Sequence, residues 1–241
     1  MGDSATDNQL SQIASGPPPA TISDALILMR RIDNLLLNGD GLKWFNLLYM
    51  RVTQQVDSSP PPGGWEDSAW LTRLDVVFAQ FYLNAISGWL NGSATVPSPW
   101  KALFEVRFRP DIERIQFALA GMNAHINHDL ALALLRTDAE LELVPGKTSP
   151  EHADFERVNA LLEAVLPTAL QFLATGILGE LAQDTGKIGR LLAIWKVRAA
   201  RDFAWDLADH LRSLTGTART TALTIQDQMT GVVGRSLLLA V

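Results

Sequence analysis

The stretch Gly121-Met-Asn-Ala-His-Ile-Asn-His-Asp-Leu130 holds two of the chain's four histidines, two asparagines and an aspartate in an otherwise apolar segment. Polar groups that sink toward a core cost free energy unless they are paired or used. His125 precedes Asp129 by one helical turn, so the two side chains share a face and can meet each other or a common ligand. That pairing suits acid–base chemistry, because an imidazole titrates near neutrality and a neighbouring carboxylate fixes its tautomer and tunes its pKa. The same pair serves equally well as a buried polar knot that ties helices together.

At 100° per residue, Ile115, Leu119, Met122, Ile126 and Leu130 fall on one core-seeking stripe. Asp129 lies about 60° from its centre, with His125 beside it, whereas His128 points toward solvent. Arg114 and Gly121 extend this flank, and the glycine admits a close neighbour. Asn123 shares the polar flank and can reach another helix. Two further stretches offer partners. Asp154-Phe-Glu-Arg-Val-Asn159 opens a helix, and Asn159 abuts the apolar Ala160-Leu-Leu162, where an amide needs a hydrogen-bond partner. A carboxylate such as Asp154 in a first turn is also ordinary helix-dipole practice. Farther on, Arg201 and Trp205 border a stripe of Ala193, Val197, Ala200, Ala204, Leu207 and Leu211. Arg201 can hold Asp129 or a bound anion, or make a surface ion pair with Asp202 or Asp206.

The elements that must position these residues are helical throughout. Apolar spacing predicts helices from Ser23 to Leu37, from Leu42 to about Val56, and from Trp65 to Leu90 with its many aromatics. Asn38-Gly-Asp-Gly41, the Pro-Pro-Pro-Gly-Gly run at 60–64 and Asn91-Gly92 break them. Further helices start at Ser98-Pro99, at Pro110-Asp111 and at Glu151, and a final pair runs Ile188–Leu214 and Ala218–Leu239. Ala160–Ala182 reads as a buried core helix ended or kinked at Pro167, since its polar residues would be costly in hydrocarbon. The expected fold is an all-α, single-domain bundle of about eight helices, with a buried polar site between them. Residues 1–20 are expected to be a flexible segment and 21–241 the domain.

Composition narrows the function. The chain has 241 residues, 47% hydrophobic and 19% charged, enough for one substantial core. A net charge of -6 argues against a nucleic-acid partner. With no cysteine, thiolate metal sites, iron–sulfur clusters and a cysteine nucleophile are excluded. The N-terminus lacks the layout of a secretory signal, so a cytoplasmic setting is the default. Dinucleotide-binding, Walker, nucleophile-elbow and paired-aspartate isoprenoid motifs are absent from the sequence.

The pattern Gly121-x-Asn123-Ala124-His125-Ile126-x-x-Asp129-Leu130, then Asp154-Phe-x-x-Val-Asn159, then Arg201-x-x-Ala-Trp205 resembles a bacterial domain-of-unknown-function family, the one catalogued as 5995. The resemblance spans roughly Ile22 to Leu214. It implies an all-α domain in which the three stretches meet, and it brings no activity, substrate or cofactor with it.

His-x-x-x-Asp on a helix is also similar to one piece of the zinc site of all-α phospholipase C and P1-type nucleases. Those use more histidines than this chain has, which leaves at most a single metal on His125, Asp129 and either Asp154 or His152. The leading expectation is a small-molecule enzyme. His125 and Asp129 would be its acid–base pair, acting on a largely apolar substrate whose polar group is oriented by Asn123, Asn159, Arg201, Trp205 and Asp154. The alternatives are a non-catalytic binding protein for a hydrophobic small molecule and a mononuclear metal-dependent hydrolase. Cofactor and oligomeric state are not readable.

Overall fold

The computed structural model describes residues 4–175 and 196–239, and these are helical with no strand among them. The chain runs through α1 (Ser4–Ala14), α2 (Ile22–Leu35), α3 (Gly41–Ser58), α4 (Ser68–Leu90), α5 (Ser98–Val106) and α6 (Arg114–Ala124). A five-residue π-helical turn, His125–Asp129, joins α6 to α7 (Leu130–Glu140). Then follow α8 (Pro150–Thr175), α9 (Val197–Ser213) and α10 (Gly216–Leu237). The parts of the expected Ala160–Ala182 and Ile188–Leu214 helices that fall at 176–195 lie outside the described residues. No helix among the described residues is long and apolar enough to cross a membrane.

Local chemistry sets the helix starts. Thr21 and Asp24 form a reciprocal capping box at α2, with the cap two residues before Ser23, the start that apolar spacing predicts. Asp40 caps α3 through the Leu42 amide, and Asp67 caps α4 through that of Trp70. Pro167 does not end α8, which continues to Thr175. Residues 4–14, expected to be loose, instead form α1. Leu10, Ile13 and Ala14 recur at helical spacing and are buried, a short apolar stripe within a polar composition. Asp7 on α1 pairs with the buried Arg107, which also holds Asp40 at 3.2 Å.

The π turn and α6 occupy the centre. Helix α6 is buried at every position from Ile115 to Ala124, with α3, α5, α8 and α10 packed around it. Two glycines set its closest approaches to other elements. A Cβ on Gly121 would land in the Phe45 ring, and one on Gly41 would land in the Phe117 ring. The glycine at 121 therefore admits an aromatic side chain from α3.

Candidate functional site

In a π turn the backbone hydrogen bonds span five residues, here from the Leu130 N–H to the His125 carbonyl. The wider turn advances less rotation per residue than an α-helix, and this overturns the placement of His128. That side chain is not solvated: it is buried, and its Nδ1 lies 2.7 Å from Asp129 Oδ1. Its Nε2 lies 3.5 Å from Asp227 of α10. Asp227 in turn accepts from the Ser98 amide at 2.8 Å and the Ser98 hydroxyl at 2.5 Å, supplying α5 with an N-terminal anion. The carbonyl of Asn127, within the turn, accepts from the Gln226 side-chain amide of α10. The irregular turn is thus tied to α10 at both a side chain and a backbone group.

Asp129 is fully committed to this structural network. Its Oδ2 accepts from the indole N–H of the buried Trp100 at 2.8 Å. The expected partner, His125, has its Nδ1 3.8 Å away, beyond hydrogen-bond length. Burial opposes the charge on Asp129, but the His128 imidazole at hydrogen-bond distance outweighs it and keeps the carboxyl below its ordinary range. Burial likewise pushes against a proton on His128, yet Asp129 and Asp227 hold that imidazole above its usual value.

His125 points elsewhere. Its ring stacks flat on Phe78, with centroids 3.4 Å apart and planes at 7°, and it also meets Tyr49 at 4.3 Å. Neither ring nitrogen has a hydrogen-bond partner among the described residues. Burial lowers its pKa, so the imidazole is neutral at neutral pH. It lines a cavity of about 80 Å³, room for several water-sized groups, between α3, α4, α6, the π turn, α8 and α9. The walls are largely apolar and include Phe45, Leu48, Val52, Val56, Phe78, Met122, Ile126, Val158, Leu162 and Val197.

The polar groups on this wall besides His125 include Arg201 and Asp75. Arg201 is 5% exposed, and its guanidinium lies 4.3 Å over the Phe155 ring. Its Nε donates to Asn159 Oδ1 at 2.5 Å, while Asn159 Nδ2 donates to Asp202 at 3.0 Å. Burial brings the Arg201 pKa down to about 10. Asp75 is partly buried on α4, and burial pushes its carboxyl up to about 7 against the pull of Arg201. Sequence reasoning missed Asp75. It lies four residues after Leu71 and three before Phe78, a carboxylate on the apolar face of α4, and that spacing was the available signal.

The other expected site residues do not converge there. Asp154 is fully buried, but it accepts from the amides of Glu66 and Asp67 at 2.9 and 2.7 Å and pairs with Arg157, anchoring the loop before α4. Asn123 donates to the Thr230 carbonyl at 2.9 Å and accepts from Asn127, so it fastens α10 to α6. Trp205 is buried against Phe155, His152 and Trp70, with its indole N–H unpartnered among the described residues. The four residues considered for a metal are therefore split between separate neighbourhoods. Among the described residues no three His, Asp or Glu side chains are grouped so as to hold a metal ion.

A family model described as "Family of unknown function (DUF5995)" matches residues 22–240. No curated protein and no solved structure matches the chain.

Proposed function

We propose, from the premise that the chain belongs to a family of unknown function, that its cavity takes a small, largely apolar molecule and that His125 exchanges a proton with that molecule's polar group. The observation that carries this reading is a buried, neutral imidazole on a cavity wall, both of its nitrogens without a hydrogen-bond partner among the described residues. A nitrogen without a protein partner is free to accept from a ligand, and leaving it unsatisfied in an apolar setting is otherwise costly. Asp75, with a pKa near 7, replaces Asp129 as the second proton-carrying group. Arg201, braced by Asn159, orients the polar end. Asp129, Asn123 and Asp154 hold the scaffold.

One observation favours a second reading, a binding protein without turnover. Among the described residues no hydrogen bond fixes the tautomer of His125, whose ring is held by its aromatic neighbours Phe78, Tyr49 and Phe45. Mass-spectrometric profiling of a small-metabolite extract incubated with the wild type, His125→Gln and Asp75→Asn separates the two. The enzyme reading expects species consumed by the wild type and spared by both variants. Consumption at the wild-type rate by folded His125→Gln overturns it, whereas retention of a compound without consumption supports binding alone.

A further inference from the structure

Arg201 is buried and makes no direct ion pair among the described residues, the carboxylates that act on it from farther off being Asp75, Asp202 and Glu156. Among the described residues its side chain has one hydrogen-bond acceptor, Asn159, and no carboxylate within the 4.0 Å of an ion pair. Burying a charge is costly unless it is paired, so a cation on a cavity wall offers a seat to an anion that enters. Its surroundings specify what enters. Among the described residues Asn159 takes the Nε–H and no acceptor takes the two terminal amino groups. Phe155 covers one face of the guanidinium, so approach is edge-on, in the plane where a carboxylate accepts two parallel hydrogen bonds. Beyond it the lining is aliphatic and aromatic, among it Val52, Val56, Phe78 and Leu162.

We propose that the ligand is a small monocarboxylate with a short apolar tail, its carboxylate seated on Arg201 and its tail against Phe78 and the α3 valines. The proposal rests on the reading of this cavity as the ligand site. An ionised Asp75 would repel such a ligand. Burial keeps its carboxyl protonated up to about pH 7, and Asp57 of α3 supports the proton while Arg201 of α9 opposes it. His125 of the π turn is neutral and adds no opposing charge. Asp75 therefore meets the incoming carboxylate as a hydrogen-bond donor.

Calorimetric titration of the full chain with hexanoate, hexanol and hexylamine tests the assignment, with the His125 ring protons followed by NMR to locate binding. Hexanoate is expected to bind about tenfold or more tightly than hexanol, the worth of a charge-assisted bidentate pair. Hexylamine is expected to bind weakest. Arg201→Met, checked for a cooperative melt, should erase the preference for hexanoate, and Arg201→Lys should keep part of it. If hexanol or hexylamine binds as well as hexanoate and shifts His125, the carboxylate assignment is overturned while the cavity reading stands. If none of the three binds or moves His125, both are overturned.

Discussion

Two imidazoles three residues apart are driven in opposite directions, His125 down by burial and His128 up by Asp129 and Asp227. NMR titration of the ring protons is expected to give His125 a midpoint below 6.5 and His128 one above it. Asp227→Asn should lower the His128 midpoint and leave His125 in place. The stability consequences are opposite in sign. The contribution of His128 is complete below its unfolded pKa and is lost as pH rises through the raised folded value. That of His125 is present above 6.5 and is lost as pH falls through its depressed value. Asp75 costs stability once ionised, since its folded pKa near 7 lies above its unfolded value and its favourable contribution fades as pH rises toward 7. Asp75→Asn should therefore raise stability at pH 8 by roughly 1–3 kcal/mol and change little near pH 3, measured by urea unfolding. Asp129→Asn should cost about 2–4 kcal/mol, because it strips His128 of its anion inside the core. His125 and Arg201 were legible as polar residues on apolar stripes. The true partners of Asp129 were not, because Trp100 arrives from a helix 29 residues away in sequence.

Helix positions follow from apolar stripes and caps, and these were readable at nearly every element. The start at Ser98-Pro99 falls where turn chemistry puts it. The N-terminal helix was hidden because three buried residues, Leu10, Ile13 and Ala14, are outweighed in composition by Asp, Ser, Gly and Pro. The π turn was hidden for a different reason, as its wider hydrogen bonds demand no special residue type. Helix–helix approach depends on single positions that sequence marks only as glycine. Gly121→Ala would drive a methyl group into the Phe45 ring, which itself meets Trp100 and His125 edge-on. We expect a loss of about 3 kcal/mol or more and displacement of the His125 ring, read by thermal unfolding and its NMR shifts.

At the scale of the whole molecule, the family match begins at residue 22, whereas α1 ends at Ala14. Helix α1 packs on α2 and α4 and pins Arg107 through Asp7. A chain lacking residues 1–16 is expected to fold with the cavity intact but to lose roughly 3–6 kcal/mol, the worth of two buried aliphatic side chains. Urea melts of the two lengths measure this, and equal midpoints would show that α1 contributes nothing.

The π turn has a genetic reading as well. It counts one residue more than the α-helix it interrupts, so it behaves as a single-codon insertion between α6 and α7. Deleting one residue within 125–129 should yield a continuous α-helix in which the side chains of the former turn are re-aimed. Such a chain would keep its far-UV circular dichroism while the His128–Asp227 contact and the seat of Gln226 are lost.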